Sequence, residues 1–294
     1  MEHLFIVNPA AGKGHALAMA EHIRQRFEHT SLDWRIVKTW GPGHATILAR
    51  EAVAAQPDIH VYSVGGDGTL NEIVNGIAGT DASLGILPCG TGNDAIRSIT
   101  DVHDPILLLE GLVDARIERT DLGTLNGKWF LNIASAGFDA EVVAKTQHYK
   151  KLPLVPGSLA YMMGVLDALI QRNQHEITLS VDGGEPEQHR ILLAAFANGR
   201  FYGGGMIPTP TASMTDGELN LFMAAAMTRR RILKFFPLFM KGKHTHLEEA
   251  TFRNFKTLWM ESDHDLPINV DGELSTARRI EVQVHPGILR MKHP

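Results

Sequence analysis

Residues 65–69 read Gly-Gly-Asp-Gly-Thr, with an apolar run before them and a helix-like run after. Glycine lets the main chain approach a ligand with no Cβ in the way. At a strand-to-helix turn the backbone N–H groups then point at phosphate oxygens. Gly65 and Gly66 close the strand, and Leu70 begins the helical stretch. Asp67 is poorly suited to touch phosphate, since like charges repel, and a Mg²⁺ between the two removes the conflict. Thr69 adds a hydroxyl donor. The plain alternative is an Asp-Gly turn that only joins two elements.

Two further loops have the same setting. Asn8-Pro9-Ala10-Ala11-Gly12-Lys13-Gly14 follows a strand and opens a helix. It lacks the GxxxxGK[ST] pattern of a Walker A loop, yet Lys13 is well placed to neutralise a phosphate. Pro88-Cys89-Gly90-Thr91-Gly92-Asn93-Asp94 again follows a strand. Three such loops at the ends of successive parallel strands share one sheet edge, where open α/β folds bind ligands.

The elements that must position these loops are legible as alternation. Short apolar runs at 3–8, 33–40, 58–65 and 84–90 read as strands, and 15–27, 45–55 and 70–79 carry helical spacing. That rhythm predicts a parallel α/β sheet over residues 1–120. It changes near Arg116. Residues 116–139 read as strands around an Asn126-Gly127 turn. A helix-like stretch follows at 158–171, and β-like runs at 175–184, 189–199, 217–225, 255–263, 266–274 and 278–285. The expected architecture is an α/β nucleotide-binding domain at 1–120 and a mainly antiparallel β-sandwich at 121–294. The active site lies in the cleft between them, and the C-terminal tail is free to pack back on the first domain.

Composition bounds the function. With 44% hydrophobic and 21% charged residues the chain is ordinary for a protein with a real core. A net charge of −5 argues against a general grip on nucleic acid. One cysteine, Cys89, excludes an intramolecular disulfide and a thiolate zinc cage, which fits a reducing cytoplasm. His244-Thr-His246 is the closest pair among 15 histidines and reads as surface loop, with no third ligand at zinc-like spacing. Met1-Glu2-His3 enters an apolar strand at once, so no targeting segment is read, and apolar runs fall well short of the roughly 20 residues that span a bilayer.

Taken together, NPAAGKG, Thr39 with Gly43-His44-Ala45, GGDGT and GTGND resemble the bacterial soluble diacylglycerol kinase and lipid kinase family. The resemblance continues through Gly123, Asn132, residues 136–139, Asn198, residues 203–205, Pro208, Asp216-Gly217 and Asp271-Gly272-Glu273. GGDGT alone is less specific, because NAD kinases share it. The resemblance implies ATP-dependent phosphorylation of a lipid hydroxyl, most simply diacylglycerol to phosphatidic acid, with ATP and Mg²⁺ required. By resemblance, Asn8, Ala10, Ala11, Gly12, Lys13, Gly14, Thr39, Gly65, Gly66, Asp67, Gly68, Thr69, Leu70, Asn71 and Thr91 fall at ATP-binding positions. Asp94 falls near the acceptor lipid. A structural Mg²⁺ maps to the Asp216 carboxylate with main-chain oxygens of Ser213 and Glu218. Asp121, at the domain junction, stands where an acid links through Lys13 to the metal region. Proton acceptance from the attacking hydroxyl falls to Glu273, with Asp271 in reserve. A NAD kinase-like enzyme and an inactive nucleotide or lipid sensor remain as alternatives.

Residues 229–243 form the one strongly basic stretch, six cations around Ile232, Leu233, Phe235, Phe236, Leu238, Phe239 and Met240. Such a segment suits an anionic membrane surface, and equally a helix packed by its apolar side with solvated cations outside. The expected partners are therefore a lipid substrate and a membrane surface, reached from the cytoplasm, with a homodimer through an exposed strand edge left open and nucleic acid excluded.

Overall fold

The computed structural model describes residues 1–137 and 174–293, together with Val142 and Gly164. Apart from Gly164, the expected helix at 158–171 lies outside the described residues, as do Phe138 and Asp139.

The first half is built on four parallel strands, β1 (His3–Val7), β2 (Trp34–Lys38), β3 (His60–Gly65) and β4 (Ser83–Pro88), in the order β2-β1-β3-β4. Every residue of β1, β3 and β4 is buried, as strands covered on both faces must be. β2, at the sheet edge, is only partly covered. Helices α1 (His15–Phe27), α2 (His44–Ala55) and α3 (Asp67–Ile77) follow the first three strands, and α4 (Asp94–Ile99) and α5 (Pro105–Leu112) follow the fourth. α1 turns Ala16, Met19, Ala20, Ile23 and Phe27 to the sheet at helical spacing. α3 begins at Asp67 rather than Leu70: Leu70 N–H bonds the Gly66 carbonyl at 3.1 Å, so the glycine loop is itself the first helical turn.

The second half holds β5 (Arg116–Leu125), β6 (Lys128–Phe130), β7 (Ile133–Gly137), β8 (His175–Val181), β9 (Glu187–Ala197), β10 (Leu219–Ala225), β11 (Ala250–Phe255), β12 (Thr257–Val270) and β13 (Glu273–His293). Asn126 and Gly127, at φ 48° and 79°, make the tight β5–β6 turn that their types require. β9 and β12 are long enough to bend. Each pairs β8 near its start and β7 near its end, so the four strands close on themselves around Phe196, Met260 and Ile268. The runs 255–263 and 266–274 are mostly one strand, β12, with its register slipped between Glu261 and Leu266.

β13 ties the halves together. It runs antiparallel to β12 and β5, and its end lies parallel to β4, pairing Arg290 with Ser83 and Met291 with Leu84. One hydrogen-bonded path thus runs β11-β10-β9-β7-β12-β13-β4-β3-β1-β2. The boundary expected at 120/121 falls inside β5.

His244 corrects one expectation. It is fully buried rather than on the surface, its Nε2 donating to the Pro208 carbonyl at 3.0 Å among Phe222, Phe235, Phe239 and Phe252. Burial lowers its pKa to about 4, so it stays neutral. No helix among the described residues is long and apolar enough to cross a membrane.

Candidate active site

The three glycine loops meet at the C-terminal ends of β1, β3 and β4, and they meet through backbone. A Cβ at Gly12, where φ is 60°, would stand 2.0 Å from the Cys89 carbonyl oxygen. A Cβ at Gly90 would stand 2.5 Å from Gly66 Cα. Side chains add the remaining ties. Asn8 donates from Nδ2 to Thr69 Oγ1 at 2.9 Å, and its Oδ1 accepts from Ala10 N–H at 3.0 Å. Ala11 N–H bonds the Asn8 carbonyl, and Thr39 N–H bonds that of Val7, which carries the β2 loop to the same edge. Open space lies over Gly14 and Gly68, and Lys13 and Thr91 are exposed there. Beneath the loops, a void of about 10 Å³ bounded by Gly65, Gly66, Asp67 and Asn93 has room for one water at most.

Asp67 reaches across to the third loop. Its Oδ1 accepts from Asp94 N–H at 2.9 Å and Ala95 N–H at 3.4 Å, the first amides of α4. Its Oδ2 occupies the space a Cβ on Gly92 would need, 2.7 Å away. Asp94 in turn accepts from Gly204 N–H at 2.7 Å, which joins this edge to the second half of the chain. Its other oxygen is buried with no hydrogen-bond partner, and Arg97 Nε stands 3.9 Å off. Burial pushes both carboxyls above the usual range, and the Asp67 charge adds to the rise at Asp94. The buried Asp94 oxygen has Arg97 as its only near cation and no hydrogen bond, so it would gain from a hydroxyl donor.

Asp271 is fully engaged. Its carboxylate accepts from Leu131 N–H at 2.8 Å, Ile133 N–H at 2.9 Å, Asn132 N–H at 3.2 Å and Asn71 Nδ2 at 3.2 Å. Asn71 also donates to the Trp129 carbonyl, so α3 is pinned to the β6–β7 connection. Burial outweighs these donors and pushes Asp271 up to about 6. A raised carboxyl holds its proton more tightly folded than unfolded, so its contribution is complete below its unfolded value and is lost as pH rises through about 6. Thermal melts from about pH 4 to 7 should therefore show the wild type losing stability relative to Asp271→Asn, which cannot titrate. Parallel curves would show that this carboxyl does not titrate as described. Glu273 is different: it is exposed, and no described side chain bonds or pairs with its carboxylate.

Asp121 does not contact Lys13. Its two oxygens accept from Gly217 N–H and Gly287 N–H, each at 2.7 Å, and it is almost wholly buried. It thereby holds the loop of Ser213, Asp216 and Glu218 against β13. Asp216 Oδ1 accepts from Glu218 N–H at 3.2 Å, and the Glu218 side chain is turned to Asn254 at 3.0 Å. Partial burial raises the Asp216 pKa, and the charges of Asp121 and Glu218 raise it further. Concentrated negative charge of this kind fits a bound cation. No group of three His, Cys, Asp or Glu side chains among the described residues is arranged for a metal. The implied set of one carboxylate and two main-chain oxygens is of another kind.

Glu72 was not singled out by sequence, yet it binds Gly43 N–H at 2.8 Å and Ala45 N–H at 3.0 Å, fixing the start of α2 beside the loops. Asn93 was passed over as a ligand, and it shapes the third loop through Oδ1 to Gly90 N–H at 3.0 Å with its own φ at 53°. Glu72 lies outside the motifs, whereas Asn93 stands inside GTGND but its loop-shaping role is not visible from the motif. The only signal for Glu72 was a carboxylate in the second turn of the helix that the GGDGT loop opens.

The profile of the diacylglycerol kinase catalytic domain matches residues 2–125, and that of the YegS C-terminal NAD kinase beta sandwich-like domain matches residues 132–293. A diacylglycerol kinase of Mycobacterium tuberculosis is 32% identical over 98% of this chain and 94% of its own length. One from Bacillus subtilis is 28% identical over 91% of this chain and 88% of its own. Among solved structures, a diacylglycerol kinase of Bacillus anthracis superposes with a TM-score of 0.72 at 19% identity, covering 100% of this chain and 97% of that one. Yeast NADH kinase in complex with NADH gives 0.52 at 10% identity, over 100% of this chain and 84% of its own, a likeness of fold.

Proposed function

This chain belongs to the family of diacylglycerol kinases and related lipid kinases, and from that premise we propose that it moves the terminal phosphoryl group of MgATP to diacylglycerol, giving phosphatidic acid. The observation that carries the reading is the lacing of three glycine loops into one backbone-lined edge, with the half-buried Asp67 carboxylate between two of them. Residues 1–120 hold the nucleotide and 121–294 present the lipid, on the cytoplasmic side of a membrane.

MgATP supplies an electrophilic phosphorus whose charge the metal partly neutralises. The chain supplies position. Amides of the three glycine loops would meet the phosphates, and Lys13 would add charge. Asp67 would orient the metal-bound side of the phosphates. Asp94, with its unmet oxygen, lines the side of the site that meets the acceptor lipid. Glu273 takes the hydroxyl proton as the new O–P bond forms and ADP leaves. We give this role to Glu273 over Asp271 because four N–H donors already occupy the Asp271 carboxylate.

The test is phosphotransfer from labelled ATP to a panel of diacylglycerol, monoacylglycerol, phosphatidylglycerol, ceramide, a sphingoid base and NAD, with products identified by mass. Phosphatidic acid as the main product supports the reading. Label in NADP alone would replace it with a NAD kinase, and ATP binding with no turnover on any acceptor would replace it with a sensor.

We assign a structural Mg²⁺ to Asp216 with the Ser213 and Glu218 main-chain oxygens. Added Mg²⁺ should then raise the melting temperature of the wild type and leave that of Asp216→Ala unmoved, since a charged ligand is gone. Equal shifts in both proteins would make Asp216-Gly217 a turn and nothing more.

A further inference from the structure

The basic stretch is a helix, α6 (Arg229–Met240), and its two sides have different partners. Ile232, Phe235 and Phe239 are buried against Tyr202, Met206 and Phe222. Arg231 is committed to Glu249 through both ends of its guanidinium. The apolar side is thus used inside the fold, and Arg231 is already paired.

What remains points outward. Leu233, Pro237 and Met240 fall at i, i+4 and i+7, one stripe of the helix, and Leu233 and Met240 are 56% and 41% exposed. Arg230 and Lys234, with Lys241 at the helix end, form the neighbouring stripe, and Lys243 follows it; all four are exposed. A solvated helix face has no need of Leu and Met, and a packed one has no room for three cations. Anionic headgroups over hydrocarbon suit both stripes at once, with long basic side chains reaching the phosphates while the apolar stripe enters the acyl boundary.

The position of α6 links this face to the reaction. Phe239 meets Tyr202 with ring centroids 6.3 Å apart, and the same turn supplies Gly204 N–H to Asp94. We propose that the outward face of α6 docks this protein on an anionic lipid bilayer, setting the Asp94 side of the site toward the lipid. The inference rests on the lipid kinase reading for its purpose, and on the two stripes for its place.

Two variants test it, Arg230→Gln/Lys234→Gln/Lys241→Gln and Leu233→Ser/Met240→Ser, neither touching the buried side. Binding is read by cosedimentation with vesicles of phosphatidylglycerol and phosphatidylcholine, and of phosphatidylcholine alone, at low and high salt. The cation variant should bind the anionic vesicles at least about tenfold more weakly at low salt, with the gap closing at high salt. The apolar variant should be weaker at both salts, because insertion is not screened. Turnover on short-chain diacylglycerol in detergent should stay native in both. Wild type that ignores anionic vesicles, or variants that bind as wild type does, would overturn the docking face. So would self-association lost in the variants with no vesicle binding, since the face would then serve a second copy. No turnover by wild type in detergent, with vesicle binding intact and variant-sensitive, would sink the kinase reading and leave the docking face standing.

Discussion

Glu273→Gln is expected to lower kcat by about 10²–10⁴-fold with ATP affinity nearly unchanged, the usual size for a lost general base. The side chain is exposed and unpaired by any described residue, so the change leaves no buried group without a partner. The melting temperature should therefore stay near native. Asp271, two positions earlier, gives the opposite pattern. In Asp271→Asn the amide nitrogen faces N–H donors that the carboxylate accepted, which costs about 1–3 kcal/mol of stability. The folded fraction should keep a larger share of its turnover than Glu273→Gln does. Steady-state kinetics on detergent-dispersed diacylglycerol, ATP titration and thermal melts on both variants separate the roles. Native turnover in Glu273→Gln would remove it as the base, and a kcat collapse in Asp271→Asn at native stability would pass the role to Asp271.

The contrast between these acids shows what the sequence could carry. The motif Asp271-Gly272-Glu273 offers two carboxylates with nothing local to rank them. The ranking comes from Leu131, Asn132 and Ile133 N–H groups and from Asn71, all remote in sequence and three of them backbone atoms without a side-chain signature. Asp121 was legible as a junction acid for the same limited reason, while its partners, Gly217 and Gly287 N–H, were not. The parallel strands were plain because buried strands are continuous apolar runs, and α1 has the residue limits its spacing predicts, 15–27. β11 went unread because Arg253 and Asn254 break its pattern at the end of the sheet path. His244 sits between Lys243 and Thr245, so its surroundings read as surface; only α6 folding over Phe222 buries it. Local chemistry was thus visible at the glycine loops, where the backbone itself acts. It was hidden wherever a side chain serves a distant amide.

Asp67→Ala is expected to cost both activity and stability, and Asp67→Asn to separate them. In the alanine variant the Asp94 and Ala95 amides lose their acceptor, at about 1–3 kcal/mol, and the third loop keeps only its backbone ties to the second, Cys89 N–H to the Gly65 carbonyl among them. Its kcat should fall at least ~10²-fold, as when a positioned electrostatic group is removed. Asparagine keeps an oxygen for the α4 amides and loses the negative charge. Its melting temperature should return most of the way to wild type while kcat stays low, because a neutral amide does not hold the metal side of MgATP. Burial has already raised this carboxyl, so the wild-type enzyme should lose ATP affinity toward acid at a higher pH than an exposed Asp would give, a loss absent from the asparagine variant. The measurements are melts, single-turnover phosphotransfer and ATP titration across pH for all three proteins. Near-native turnover in Asp67→Asn would reduce Asp67 to a clasp between loops. Near-native turnover in Asp67→Ala would take the phosphates away from residues 65–69 altogether, since a cradle that relies on this carboxylate for the metal side could not work without it.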